Sequence, residues 1–312
     1  MKRLSKIYKK GCGLIFDDVL EFEEEMIMDK VILGDNQFFA VNHLSDERSR
    51  QQAVRFKEDK AIIDVLDTAI DCGVNTFMCT THDRIANICE HMRQSPEKYA
   101  DFKFYPCMPY AHKYANAVTE LGILGTLKAY LPGNLLSVVS KSGIAYARKD
   151  FPALMELLVD AEMKMFRGLN TPVIFLQNVM TDLLYGLGMK EILVHFAEYI
   201  RKKYNAEPGF ITMNLPQMVD FCEENGIDNP VICSSINKIG FRMSGSIERY
   251  EEYLRSDKKF RPIAMQCLAA GALKPQEAFE YVGQFKKIVS VLFGASSRAH
   301  IQQNYNLINS LL

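Results

Sequence analysis

Several residues of this 312-residue chain have side chains suited to acid–base chemistry and lie at the ends of apolar runs typical of buried strands, and three of them are the leading candidates. They are Asp35, His82 and Asp83. Histidine titrates close to neutral pH and an adjacent carboxylate can orient its ring, so the pair His82 and Asp83 predicts a general acid. Asp35 ends the first apolar run and is a further candidate for catalysis. An adjacent pair of this kind in a surface loop is also compatible with a purely structural role.

Lys238 follows a later apolar run and indicates a different chemistry. In a desolvated pocket its amine could lose its proton and form a Schiff base with a carbonyl substrate. A lysine in a loop also serves as a solvated or anion-binding charge. The sequence leaves both interpretations open.

Metal binding is a third chemistry to weigh, because four potential ligands follow the first three apolar runs: Asp35, His43, His82 and His112. They come from three separate segments and lack the fixed spacing of ligands on one helix. We therefore expect no metal.

The C-terminal region has the pattern of a phosphate site. Two apolar runs, Pro262–Cys267 and Val289–Phe293, each lead into small residues, AAGA and GASS. Ala and Gly let a ligand approach the backbone, while Ser296 and Ser297 can cap the next helix, whose free N–H groups favour an anion. Each turn alone could be only a cap or a tight turn. The two together predict an anion bound around residues 294–298.

The elements that position these residues alternate between strand and helix patterns. Short apolar runs of the kind seen in parallel strands buried on both faces occupy residues 31–36, 74–79, 103–108, 172–177, 209–214, 230–235, 262–267 and 289–293. Helical patterns separate them, and no GxGxxG follows the first strand. The sequence therefore predicts an α/β fold, a single (β/α)8 TIM barrel, whose last two strand–helix loops form the usual phosphate site.

The barrel is expected to span residues 31–312, after an N-terminal extension of residues 1–30 that could form a hairpin at the barrel floor. Three helical patterns instead of one lie between strands three and four, at about residues 111–171. This helical insertion follows the C-terminal end of a strand. We expect part of it to cover the active face as a lid.

Composition limits the class of partner. The net charge of -1 gives no field for attracting nucleic acid or an anionic membrane, and no apolar run is long enough to span a bilayer. The eight Cys residues contain no CxxC, and four of them, Cys72, Cys107, Cys233 and Cys267, lie in or beside apolar runs. We expect reduced core thiols in a cytoplasmic protein that acts on a small molecule.

Amide side chains recur at the predicted strand ends: Asn36, Gln37, Gln177, Asn178, Asn214, Asn237 and Gln266. A buried amide needs hydrogen-bond partners, so such a ring suits a polar, hydroxylated or carbonyl-bearing substrate. This pattern alone does not specify one reaction.

Several segments together resemble the aldo-keto reductase superfamily, an NAD(P)-dependent group of (β/α)8 barrels, over residues 31–312. CGVNTF at 72–77 is similar to its second strand, CLAAGAL at 267–273 to its strand-seven loop, and GASSRAHIQQN at 294–304 to its cofactor-clamping segment. The resemblance implies NAD(P) as cofactor. It also implies a cofactor site formed by Asn214, Asn237, Leu268, Gly271, Gly294, Ser296, Ser297, Gln303 and Asn304, with Asn214 at the nicotinamide amide and Gln303 and Asn304 at the adenine.

The catalytic part departs from the family pattern. Where the family has Asp, Tyr, Lys and His, this chain has Met78, Asp83, Met108 and either Gln177 or Asn178. Ile236 stands in the place of the stacking aromatic residue, and His300 in the place of the basic residue for a 2′-phosphate. If hydride transfer is retained, His82 with Asp83 is expected to supply the proton.

Three hypotheses remain from the sequence. The first is an NAD(P)-linked oxidoreductase with a relocated acid, acting on a small polar carbonyl or hydroxyl substrate. The second is a non-redox lyase, aldolase or isomerase that acts on a phosphorylated or sugar-like substrate through Lys238 or His82. The third is a ligand-binding barrel without catalysis.

Overall fold

The computed structural model of the chain describes residues 28–39, 46–110 and 151–312. Within these residues eight parallel strands close into a barrel in sequence order, with β8 pairing with β1. The strands are β1 Val31–Gly34, β2 Thr76–Thr80, β3 Lys103–Met108, β4 Val173–Leu176, β5 Glu207–Thr212, β6 Val231–Ser235, β7 Arg261–Met265 and β8 Ser290–Phe293. The predicted (β/α)8 barrel is confirmed.

Helices lie between the strands along the described chain. They are α1 Asp46–Arg55, α2 Asp59–Asp71, α3 Asp83–Arg93, α4 Phe151–Met163, α5 Asn178–Gly186, α6 Lys190–Tyr204, α7 Leu215–Glu224, α8 Ile247–Arg255, α9 Pro275–Val282 and α10 Arg298–Leu311. In the described part of the chain, none of them combines the length and the apolar character needed to cross a membrane.

The barrel interior explains why the strand runs do not alternate in the sequence. Side chains such as Ile32, Met78, Tyr105 and Phe175 fill the inside, while their neighbours along the strands pack outwards against the helices. Both faces of each strand are therefore buried, so both carry apolar residues.

Strand β5 begins at Glu207, two residues before the predicted strand, because Glu207 and Pro208 do not look like buried strand residues in the sequence. Gly209 is required by packing inside the barrel. A Cβ at this position would lie 2.3 Å from the ring of Phe175. The ring therefore occupies the space that a side chain at residue 209 would take.

The helix α4 lies in the interval where the sequence predicts an insertion at 111–171. It packs against β3 and α6, as a barrel helix does. The last of the three predicted helical patterns is thus the barrel's own helix between β3 and β4. The predicted floor hairpin, the rest of the insertion, His43 and His112 lie outside the described residues.

The seven Cys residues in the described part of the chain are free and buried, as expected of core thiols. Cys267, which lies beside the cavity described below, shows the chemical consequence. Burial raises the pKa of its thiol to about 12. Because the thiolate is the reactive form, Cys267 is not suited to act as a nucleophile.

Candidate active site

A cavity of about 590 Å³ opens at the C-terminal ends of the strands. Its volume is typical of small-molecule sites, and its place is the one where barrel enzymes carry out chemistry. All eight strands or the loops after them contribute lining residues: Gly34, Asp35, Asn36, Gln37, Phe39, Met78, Thr80, Cys107, Tyr110, Gln177, Asn178, Val179, Ile211, Met213, Phe241, Arg242, Met265, Gln266, Cys267, Leu268, Ala270, Gly271, Phe279, Leu292, Phe293 and Gly294.

Asp35 is the acidic side chain in this lining, and it directly follows β1. It is 7% exposed, and Thr80 donates to it twice, from its backbone N–H and from its hydroxyl, each at 2.7 Å. Burial raises the pKa of the Asp35 carboxyl, while the Thr80 hydrogen bonds oppose the rise. A carboxyl group with a raised pKa in a cavity is a candidate acid or base.

The two hydrogen bonds also determine which oxygen can carry a proton. Both Thr80 donors reach the same carboxyl oxygen, Oδ2. In the neutral acid the proton therefore belongs on Oδ1, since Oδ2 already accepts twice. Oδ1 is thus the atom from which Asp35 would transfer a proton.

His82 lies behind an aromatic wall of the cavity. Its ring stacks on Phe39 at a centroid distance of 4.3 Å and is tilted against Tyr110 at 5.6 Å, and these two residues line the cavity. Its Nδ1 accepts the backbone N–H of Arg84 at 3.1 Å and so caps α3. This bond leaves Nε2 as the protonated nitrogen of the neutral ring. Asp83 is the exposed first residue of α3.

Tyr110 is held in the wall by a buried carboxylate from α4. Its backbone N–H donates to both oxygens of Glu162, at 3.2 and 3.3 Å, and the Thr81 hydroxyl donates to Glu162 at 2.5 Å. Burial raises the pKa of Tyr110, and the carboxyl groups of Asp35 and Asp83 raise it further. The phenol therefore remains a neutral hydrogen-bond donor at the cavity.

Lys238 lies at the protein surface. Its Nζ forms an ion pair with Oε1 of Glu277 at 2.8 Å, and its side chain is 53% exposed. Schiff-base chemistry requires an amine that is desolvated enough to lose its proton, and this environment does not provide that. The lyase and aldolase hypotheses find no support in the geometry.

The predicted cofactor residue Asn237 has a structural role in the loop after β6. It is fully buried, its Nδ2 donates to the Phe241 carbonyl at 2.8 Å, and its Oδ1 accepts the Phe241 N–H at 2.8 Å. These two bonds close the loop that carries Phe241 and Arg242 to the cavity. Asn214 similarly caps α7 and bonds to Gln217.

The loops after β7 and β8 form a side of the cavity with little side-chain volume, since Ala270, Gly271 and Gly294 line it together with Leu268. Gln266, Ala269 and Ala270 have φ angles of 55°, 46° and 57°. Left-handed backbone is uncommon in residues other than Gly, and it concentrates at functional sites. The loop after β7 is thus a strained segment that faces the cavity.

The serines of the GASS segment are engaged within the protein. Ser297 caps α10 by accepting the His300 N–H at 3.4 Å. The Arg55 guanidinium donates to the hydroxyl of Ser296 at 2.8 Å and to its carbonyl at 2.5 Å. A positive charge from α1 therefore stands at the N-terminus of α10. Further along this helix, Gln303 is exposed and Asn304 is buried.

Among the described residues no group of three or more His, Cys, Asp or Glu side chains is arranged to hold a metal ion. Of two potential ligands in the sequence, Asp35 lines the cavity, whereas His82 stacks on Phe39 and is not among the lining residues. The other two, His43 and His112, lie outside the described residues.

Three features of the site were not assigned a role from the sequence: the Thr80 donors, the Tyr110 phenol and the Phe241 ring. Thr80 ends β2 and Tyr110 follows β3, so a search of strand ends could have found both. Phe241 lies four residues beyond Asn237 in a loop, and only the folded loop brings it to the cavity.

The fold is a (β/α)8 barrel with its cavity at the C-terminal face. Comparison with known proteins found no matching family model and no matching curated protein sequence. Solved structures do match. A Pseudomonas aeruginosa protein provisionally designated an aldo-keto reductase superposes with a TM-score of 0.55 and 13% identity, over 90% of both chains.

A second solved structure, provisionally designated a 2,5-diketo-D-gluconic acid reductase B, gives a TM-score of 0.53 at 12% identity, over 89% of this chain and 82% of that one. At this level of identity the likeness establishes a shared fold. The resemblance to aldo-keto reductases predicted from the sequence is confirmed at the level of the fold.

Proposed function

We propose that this chain is an NAD(P)-linked oxidoreductase that interconverts a small polar carbonyl compound and its alcohol. The observation that carries this proposal is the buried Asp35 carboxyl group, which lines the cavity and has a raised pKa. It offers a proton donor within an aldo-keto-reductase-like barrel whose usual catalytic positions hold other residues. The acid therefore lies at the end of β1 and not in the loop after β2.

The residues around the cavity fit a nicotinamide nucleotide. Gly294 and Gly271 leave the backbone of the last two loops open to a ligand, and Phe241 presents an aromatic ring in place of the buried Ile236. Arg55 and the N-terminus of α10 supply positive charge for a phosphate beside Ser296. When bound, the nicotinamide would supply or accept the hydride.

Asp35 would exchange the proton of the substrate oxygen through Oδ1. The Thr80 bonds fix the orientation of the carboxyl group, and burial favours its neutral, proton-donating form. His82 is the other candidate acid. Its ring packs against Phe39 and Tyr110, which line the cavity, so a proton from His82 would have to pass these two rings to reach the substrate. We therefore propose Asp35, and not His82, as the acid of the reaction.

The rest of the lining supports a polar substrate of small size. Gln177 and Asn178 border the cavity on the β4 side, and the Tyr110 phenol and the Arg242 guanidinium add donors. The apolar faces of Phe39 and Tyr110 suit the carbon skeleton of such a molecule. The free, buried thiols of the described chain suit a reducing compartment, so we also propose a cytoplasmic location.

The proposal is tested by measuring nucleotide binding and carbonyl reduction with the same purified protein. Purified protein is titrated with NADH and with NADPH, and oxidation of the reduced nicotinamide is followed with a panel of small aldehydes and hydroxyketones. We expect saturable binding of at least one nucleotide and turnover of at least one polar carbonyl. Failure of both nucleotides to bind at millimolar concentration would reject the proposal.

A further inference from the structure

Gln37 contains a buried acceptor that the described protein leaves unsatisfied. Gln37 follows β1, is 7% exposed and lines the cavity. Its Nε2 donates to the Gly34 carbonyl at 2.7 Å and to the Ala295 carbonyl at 3.4 Å. Its Oε1 has no hydrogen-bond partner within the described residues.

The orientation of this amide follows from its neighbours. Exchanging the nitrogen and the oxygen would direct Oε1 at two carbonyl oxygens, which cannot donate. Oε1 therefore has to face away from Gly34 and Ala295. A buried acceptor without a donor loses its hydration and gains nothing in return, unless a ligand supplies the donor.

Gly294 lies close to this oxygen. A Cβ at Gly294 would lie 2.8 Å from Gln37 Oε1, and the other heavy atoms within 4 Å belong, in the described chain, to Gln37 itself or to the immediate neighbours of Gly294. Gly294 also lines the cavity. The unsatisfied oxygen thus lies next to a cavity-lining residue that has no side chain to cover it.

We propose that Gln37 and Gly294 form a hydroxyl-binding subsite, in which a ligand hydroxyl in the cavity donates to Gln37 Oε1 beside Gly294. The inference rests on the proposed function, because it takes this cavity as the binding site. Two ligands could carry the hydroxyl: the ribose of a nicotinamide nucleotide, or a hydroxylated carbonyl substrate. In both cases the recognised group is an O–H donor.

Three variants test the subsite. Gly294→Ala places a methyl group against Oε1, and Gly294 does not have the left-handed φ that would strain an alanine. Gln37→Met removes the acceptor. Gly186→Ala is the matched control, because the same methyl group there meets nothing within 4 Å.

The measurements separate the two sources of the hydroxyl. Affinities for NADH and NADPH are measured by calorimetric titration, and KM values are compared for glyceraldehyde and for propanal, which lacks the hydroxyls. If the ribose donates, Gly294→Ala and Gln37→Met weaken nucleotide binding by about tenfold or more and leave the glyceraldehyde-to-propanal ratio of KM unchanged. If the substrate donates, the ratio changes by a similar factor and nucleotide affinity does not.

The failure of this inference is distinct from the failure of the proposed function. Nucleotide affinity and KM ratio that match wild type in both Gly294→Ala and Gln37→Met would overturn the subsite while leaving the oxidoreductase intact. If the wild-type protein binds no nucleotide, the subsite is tested by the rise in melting temperature that glyceraldehyde or glucose causes in wild type, Gly294→Ala and Gly186→Ala. Stabilisation that Gly294→Ala loses and Gly186→Ala keeps would support the subsite, and equal shifts in all three proteins, or none in any, would overturn it.

Discussion

At the scale of single residues, the account depends on a carboxyl group that the fold keeps out of water. Removing a carboxyl from water disfavours its charged form, and the two Thr80 hydrogen bonds compensate only in part, so the pKa of Asp35 is raised. The groups whose titration Asp35 influences are Cys79, Cys107 and Tyr110. All three have raised pKa values, and the negative charge of Asp35 contributes to each rise after burial.

The raised pKa predicts a dependence of stability on pH. Between the ordinary value of 3.8 and the higher folded value, the folded protein binds more protons at Asp35 than the unfolded chain. The free energy of unfolding therefore falls as pH rises through this window, and the loss is complete above the folded pKa. Asp35→Asn has no such loss, so its stability relative to wild type should increase with pH and then level off. Urea denaturation from acidic to neutral pH measures this, and a difference that does not change with pH would contradict a raised pKa.

At the scale of elements, the strands were predictable and the loops were not. The boundaries of seven strands lie within two residues of the predicted runs because buried apolar residues mark them, and β3 coincides with its run. The β5 strand starts two residues early because Glu207 and Pro208 pair with Val173 and Ile174 of β4, which only the folded sheet shows. Likewise, the loop after β6 follows no simple periodicity, because the side chain of Asn237 determines its shape.

The same loop explains why Lys238 looked more reactive in the sequence than in the structure. The residue next to a buried Asn237 points to the surface, where Glu277 of α9 pairs with it. We expect Lys238→Met to reduce stability by less than about 1 kcal/mol, the usual worth of an exposed ion pair, and to leave turnover unchanged. Glu277→Gln is the matched control. Borohydride trapping of a substrate on wild type that is lost in Lys238→Met would argue instead for Schiff-base chemistry.

At the scale of the whole molecule, closure of the barrel creates the site. Asp35 follows β1 and Thr80 ends the adjacent strand β2, but Gln37 meets Gly294 only because β8 pairs with β1. The alternation of strands and helices was enough to predict the barrel and its C-terminal face. It could not indicate which polar side chains would face the cavity and which would instead form structural hydrogen bonds. Asn214 and Asn237 belong to the second group.

Barrel closure also depends on a tightly filled interior, and Gly209 provides a test of that. Gly209→Ala would place a methyl group 2.3 Å from the Phe175 ring. Overpacking of this kind costs about 1–3 kcal/mol. Chemical denaturation should show that loss for Gly209→Ala, while Gly186→Ala should be no less stable than wild type. Equal stability of Gly209→Ala and wild type would mean that the Phe175 ring can move aside at no cost.

The central claim is that Asp35 is the acid of an oxidoreductase, and one paired measurement tests it most directly. Steady-state kcat/KM with the best nucleotide and carbonyl substrate is compared in wild type, Asp35→Asn and His82→Ala, with nucleotide affinity measured for each. We expect Asp35→Asn to lose about 100-fold to 10,000-fold in kcat/KM with its nucleotide affinity retained. His82→Ala should lose clearly less activity, while losing about 1 kcal/mol of stability with the cap of α3. A kcat/KM of Asp35→Asn equal to that of wild type, or a larger loss of kcat/KM in His82→Ala than in Asp35→Asn, would contradict the claim.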